Sequence, residues 1–199
     1  VAAEAEGTYK VPVISINSFG FMNGAYSNGF KLAVSIMLNR FCILQEKRDD
    51  TIVIIAPFEG KHSAAFRTIE QYLYFLGLKK VILFPGAASL EEIKLLCTCR
   101  YGVIIDHNNM LVADYESAAN LLNEKLGIQI LDYADPAGFK ETLTWLERIH
   151  IALQSPEYSY KMLCEQLKQQ YSQFINDFLA IAGKGNKVSI VIRDAKVIL

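Results

Sequence analysis

The sequence predicts an α/β fold: a doubly wound, mainly parallel sheet with helices on both faces, a three-layer sandwich. Three observations carry that expectation. Short β-branched runs recur along the chain and are apolar on both faces, as strands of a parallel sheet buried between helices must be. Amphipathic stretches with apolar residues three and four apart separate those runs. Helix-start signals stand before two of those stretches, so periodicity and punctuation agree. Strand, loop and helix in repetition imply right-handed crossovers.

In chain order, residues 11–16 (VPVISI), 51–56 (TIVIIA), 80–84 (KVILF), 101–105 (YGVII), 128–131 (IQIL) and 187–192 (KVSIVI) read as strands. Phe66, Ile69, Leu73 and Leu76 share one helical stripe, and Leu143, Leu146, Ile149 and Leu153 share another. Ser89 and Glu92 form a capping box ahead of LEEIKLL, and Ser155 followed by Pro156 opens the next helix. From there to about residue 182, Met162, Leu163, Leu167, Tyr171, Phe174, Ile175 and Phe178 make a near-heptad stripe, which predicts one long helix. The chain therefore divides into an α/β domain over 1–154, a connecting helix over 155–182 and, over 183–199, the start of a further, truncated α/β domain. A linker is expected around Gln154–Pro156 or Ala182–Asn186.

Composition narrows the class. Apolar residues make up 52% of the 199 and the net charge is -1, which excludes a disordered chain and a basic nucleic-acid-coating surface. The opening VAAEAEGTYK has no signal-peptide core, and no apolar run is long enough to span a bilayer. Four cysteines, Cys42, Cys97, Cys99 and Cys164, lack CxxC spacing and fit reduced thiols. Together these predict a cytoplasmic protein with neither membrane nor nucleic acid as partner. A first residue other than Met and a last stretch inside VSIVIRDAKVIL read as a fragment.

In a doubly wound sheet, ligands bind beyond the carboxyl ends of the strands, where loops meet helix N-termini. Topology thus nominates the segments 17–30, 57–63, 85–88, 106–113 and 132–138. The first, NSFGFMNGAYSNGF, spaces Gly20, Gly24 and Gly29 without the GxGxxG of a dinucleotide fold, so its glycines serve a turn or close approach to a bulky group. FEGKHS fails as a phosphate loop, because Ile55 stands where the first glycine belongs and His62 separates Lys61 from Ser63. Lys61 and His62 are left as polar contacts able to hold an anion, with a solvated loop as the plainer reading. His107 is a polar candidate at a strand's carboxyl end. Cys97-x-Cys99 reads as core packing, His150 as a helix residue without a role, and Asp114, Asp132 and Asp135 as turn and cap residues.

The order of several segments resembles nitrogenase component 1 and its relatives, a family of catalytic subunits, cofactor-assembly scaffolds and dark protochlorophyllide reductases. KVPVISINSFGFMNGAYSNGFKLA is similar to the family's strand, glycine turn and helix, with Phe19 where the turn usually has proline. TIVIIAPFEGKHSAAFRTIEQYLYFLGL, SLEEIKLLCTCRYGVII and SAANLLNEKLGIQILDYADPAGFKETLTWLERI follow in family order, so the resemblance covers about residues 10–195. It implies Rossmann-like domains and a multi-subunit oxidoreductase that receives electrons from an ATP-dependent reductase and works with a homologous subunit. It also implies an iron-sulfur cluster or related metallocofactor in the full-length complex, with none expected in this fragment alone. On that basis Asn17, Ser18, Gly20, Asn23, Gly24, Tyr26, Ser27 and Asn28 are expected to line a cofactor or substrate pocket, with Lys61, His62 and His107 as polar contacts.

The chain departs from the family's pattern at its ligands. No cysteine falls at a matched cluster position; Met110, Leu111, Val112 and Ala113 stand where the nitrogen-reducing subunit has a cofactor cysteine, and Tyr26 and Phe30 stand near its glutamine and histidine. Apolar groups cannot replace thiolate or imidazole. No metal ligand or catalytic residue is therefore assigned. Two other readings stand beside the oxidoreductase subunit: a scaffold of the same family that holds a cofactor without turnover, and an unrelated small-molecule-binding α/β domain.

Overall fold

The computed structural model describes residues 2–15, 25–56, 60–105, 112–132, 136 and 138–182. Seven helices and four strands are found among them: α1 (Ala2–Tyr9), α2 (Ala25–Phe41), β1 (Arg48–Ala56), α3 (Ala64–Phe75), β2 (Lys80–Pro85), α4 (Leu90–Leu95), β3 (Cys99–Ile104), α5 (Val112–Leu126), β4 (Gln129–Asp132), α6 (Phe139–Leu153) and α7 (Glu157–Ala182). The strands form one sheet in the order β2-β1-β3-β4, parallel at every pairing.

Period-two alternation explains why the buried parts of the strands are apolar on both faces. On β1, Ile52, Ile54 and Ala56 enter one core, while Val53 and Ile55 enter the other. The register pairs Ile52 with Val81 and Val53 with Ile82, so neighbouring strands send like-facing side chains into the same layer. One core is closed by Val34 and Leu38 of α2, Ile93 of α4 and Leu122 of α5. The other is closed by Phe66 and Leu73 of α3, Trp145 and Ile149 of α6, and Leu163 and Leu167 of α7. This is the three-layer sandwich. At its centre Gly102 of β3 leaves room for its neighbours: a Cβ there would lie 3.0 Å from Ile130 Cδ1 and 3.1 Å from Val53 Cγ1.

The stripes expected on α3 and α6 hold, whereas on α7 Leu163 and Leu167 are buried and Met162 and Phe174 are exposed. Phe66, Ile69, Leu73 and Leu76 are all buried, and Leu146 and Ile149 are buried with Leu143 and Leu153 packed against them. The capping box forms, Ser89 Oγ accepting from Glu92 N at 3.3 Å while the Glu92 carboxylate accepts from Ser89 N at 2.9 Å. Pro156 supplies the first helical carbonyl of α7, to Tyr160 N at 3.2 Å.

One strand expectation fails. Residues 11–15 are irregular, following the helix α1 that periodicity did not indicate. Val11 is exposed, and Val13 N donates to the Glu6 carboxylate at 2.9 Å rather than to a neighbouring strand. Pro12 also removes a donor that a ladder would need, whereas the Ala- and Glu-rich opening favours a helix. Residue 16 and the run at 187–192 lie outside the described residues.

Candidate functional site

Strand order decides where the site lies. After β1 the chain turns into α3, on one face of the sheet; after β3 it turns into α5, on the other. Adjacent parallel strands whose exits diverge leave a crevice beyond their carboxyl ends, the usual ligand position in open α/β sheets. Here that switch point falls between Ala56 of β1 and Ile105, just past β3, whose N–H donates to Ile55 O at 3.3 Å. The segments leaving it, 57–63 and 106–111, carry Lys61, His62 and His107.

Two of those three side chains are placed, and they diverge. Lys61 forms an ion pair with the Glu92 carboxylate, reaching toward the layer of α4. His62 turns to α3, where Arg67 donates to its Nδ1 at 3.2 Å. Burial pushes the Glu92 carboxyl upward, but the Lys61 ammonium and the Ser89 N–H and hydroxyl outweigh it and hold the group below the ordinary carboxylate range. The α3 N-terminus is capped from within, Ser63 Oγ accepting from Phe66 N at 3.1 Å. This rim is therefore a closed set of internal pairs.

Of the other expected pocket residues, Tyr26, Ser27 and Asn28 have their backbone in the first turns of α2. The run from Cys42, at the end of α2, to β1 places the opposite end of that helix at the amino edge of the sheet, so α2 begins toward the carboxyl edge. Asn17, Ser18, Gly20, Asn23, Gly24 and His107 lie outside the described residues. So do Met110, Leu111 and Asp135.

The cysteines gather elsewhere. Cys42 Sγ donates to Ile93 O at 3.0 Å, Cys97 Sγ to Lys94 O at 2.7 Å and Cys99 Sγ to Leu95 O at 3.9 Å. Three thiols thus satisfy three consecutive carbonyls at the end of α4, groups that a helix leaves without internal partners. Lys47 Nζ closes the cluster by donating to Cys99 O at 2.8 Å. Burial, with Cys97 beside it, raises the Cys42 thiol to about 11, and burial raises Cys99 to about 12. A metal requires thiolate, so these groups act as small apolar donors. Cys164 is on α7. All four cysteines are accounted for, none at the carboxyl edge, and among the described residues no set of three His, Cys, Asp or Glu side chains could hold a metal ion. This chain's thiols do not fit an iron-sulfur cluster at the switch point.

One polar cluster was not legible in the sequence. Where α6 turns into α7, His150 Nδ1 lies 2.7 Å from Ser155 Oγ and Nε2 lies 3.0 Å from Glu157 Oε2, with the imidazole stacked on Tyr160 at 4.4 Å. A carboxylate only accepts, so Nε2 donates to Glu157, while Nδ1 and the Ser155 hydroxyl share the other hydrogen bond. Ser155 is buried, and the arrangement clasps the elbow between two helices. The spacing of five and seven residues gave no signal, because a chain reversal brings the groups together.

The family model of nitrogenase component 1 type oxidoreductases matches residues 1–196. The chain belongs to that family. Among solved structures, the protein described as "Nitrogenase Cp1 at pH 6.5" is 16% identical with a TM-score of 0.66, over 90% of this chain and 33% of that one. A second, "Nitrogenase Cp1 at pH 5", is 16% identical with a TM-score of 0.68, over 88% and 34%. At such identity these neighbours show the component 1 fold, and this chain spans about a third of their length. No curated protein matches. Family membership removes the unrelated small-molecule-binding domain from consideration. Among the described residues no helix is long and apolar enough to cross a membrane.

Proposed function

We propose that this chain is part of a nitrogenase component 1-like oxidoreductase subunit, and that its carboxyl-edge loops form one wall of a pocket whose cofactor is held mainly by other parts of the complex. The observation that carries the reading is the division of the sheet: the chain leaves the switch point between β1 and β3 through the segments 57–63 and 106–111, while the thiols of Cys42, Cys97 and Cys99 gather at the end of α4. A metallocofactor, when bound in the complex, would supply the redox chemistry. Asn17, Ser18, Gly20, Asn23, Gly24, Tyr26, Ser27 and Asn28 would line the pocket, and Lys61, His62 and His107 would set its polarity. Glycines at 20 and 24 would let backbone come close to a bulky group, since neither has a Cβ. The partners are a homologous component 1-type subunit and an ATP-dependent iron-sulfur reductase, in the cytoplasm.

A specific observation favours a second reading within the same family. With no thiol at the switch point, a scaffold that holds a cofactor transiently and passes it on fits as well as a catalyst. Anaerobic purification of the full-length protein with its homologous subunit, followed by iron and sulfide analysis and reductase-dependent turnover, tests both. Iron with turnover supports the oxidoreductase, and iron that transfers to an acceptor protein without turnover supports the scaffold. A colourless, iron-free complex overturns both.

A further inference from the structure

Helices α3 and α7 share a core but leave a groove beside it. Leu163 and Leu167 of α7 are buried in one cluster with Phe66 and Leu73 of α3. The end of α3 meets the start of α7, where a Cβ on Gly77 would lie 3.8 Å from Pro156 Cδ. Alongside these contacts runs a groove of about 290 Å³, with one wall from Thr68, Gln71 and Tyr72 and the other from Gln166 and Gln170. The buried Leu163 and Leu167, with half-buried Phe75, give it an apolar floor.

Tyr72 marks this groove as more than a surface furrow. The residue is 7% exposed, and its hydroxyl has no hydrogen-bond partner among the described residues. Burial raises the phenol above its ordinary range. Among the described residues the side-chain polar atom that is both sealed and partnerless is Trp145 Nε1, so the Tyr72 hydroxyl is not sealed. It opens into the groove that its residue lines. A buried donor left unpaired is costly, so this hydroxyl is held ready for an occupant.

The lining defines the chemistry of that occupant. It contains no Lys, Arg, Asp or Glu, so a charged ligand would be partly desolvated without a counter-charge. Gln71, Gln166 and Gln170 each bring two N–H donors and a carbonyl acceptor, and none of these side chains is bonded to another described residue. Thr68 directs its hydroxyl to Ala64 O at 2.8 Å and keeps its acceptor lone pairs. Mixed donors and acceptors at short spacing match hydroxyl groups, which also do both, and the apolar floor matches a face of C–H bonds. The wider cleft between α6 and α7 offers no such match, because its Lys161 and Lys168 already pair with Glu157 and Glu165.

We infer that the α3–α7 groove binds a small uncharged cyclic polyol, a monosaccharide or cyclitol, whose ring hydroxyls bond Tyr72 and the three glutamines while its C–H face rests on Phe75, Leu163 and Leu167. A groove of about 290 Å³ stands at the lower end of ligand sites and suits a single ring.

Nuclear magnetic resonance on the labelled 199-residue chain tests the proposal, with D-glucose, D-galactose and myo-inositol as probes and D-glucuronate as the charged control. At least one neutral probe should give saturable shifts at residues 68–75 and 163–170 and at the three glutamine side-chain amides, with a Kd of about 1 mM. Tyr72→Phe should weaken that binding about tenfold while the rest of the spectrum stays unchanged, which reports an intact fold. Glucuronate should bind at least about tenfold more weakly than the best neutral probe. No saturable shift with any neutral probe overturns the inference, as does a Kd that Tyr72→Phe leaves unchanged or glucuronate matches. Shifts at these residues that follow protein concentration without any sugar overturn it too, since a second copy would then fill the groove.

Discussion

The two edges of the sheet are made differently. At the amino edge, the ends of α2 and α4 and the start of β3 lock together through three thiols, three helix carbonyls and the Lys47 ammonium, and the α6–α7 elbow is clasped by His150. Backbone groups there are satisfied by short, buried partners. At the carboxyl edge the placed side chains pair with one another on the rim: Lys61 with Glu92, Arg67 with His62, and Ser63 and Ser89 with their own helices. The difference teaches that the cysteines of this chain belong to stability, although its family invites reading them as ligands. The rim contacts are single pairs, the Lys61–Glu92 pair partly buried and the Arg67–His62 contact exposed, and an exposed contact contributes little to stability.

Substitutions should separate the edges, and the largest effect belongs to the sheet between them. Gly102→Val should lower stability by about 3 kcal/mol, since its side chain must displace Ile130 and Val53, and urea unfolding would measure it. At the amino edge, the rise of Cys42 from 9.0 to about 11 leaves roughly 100-fold less thiolate at pH 8, so a thiol reagent should label Cys42 that much more slowly in the folded than in the unfolded chain. Labelling at equal rates would remove the cap assigned to that thiol. His150→Ala leaves the buried Ser155 hydroxyl without a partner and should cost about 2 kcal/mol, read by thermal unfolding against Ser155→Ala. The two losses should not add.

Effects at the carboxyl edge should be smaller. Ser89→Ala removes one half of a capping box from a short helix, for about 1 kcal/mol by chemical denaturation. Glu92→Gln should cost less than about 1 kcal/mol at neutral pH and should show a pH signature. The folded carboxyl is held low, so its contribution is present above the unfolded value and disappears as pH falls through the folded one. Wild type and variant should therefore converge in acid. A gap that persists there would assign the loss to geometry rather than to the charge paired with Lys61.

Much of the fold was legible. The runs at 51–56, 80–84, 101–105 and 128–131 became strands because apolar residues on both faces leave no side for water. The caps at Ser89 and Ser155–Pro156 marked helix starts because they satisfy local backbone groups. Residues 11–15 misled because an apolar run signals burial, and that run has no partner strand among the described residues. Of the candidate site, the position of Lys61 and His62 after β1 followed from alternating elements, but the divergence of Lys61 from His62 depended on which layer each neighbour occupies.

The sequence by itself determined the elements, their caps and their two-faced burial, since these depend on residues within a few positions of one another. Only the tertiary structure decided the strand order that opens a crevice between β1 and β3, the gathering of Cys42 with Cys97 and Cys99, and the His150 clasp. The reason is physical: each of these joins segments whose separation along the chain carries no periodic signal, and their meeting is set by how whole layers pack.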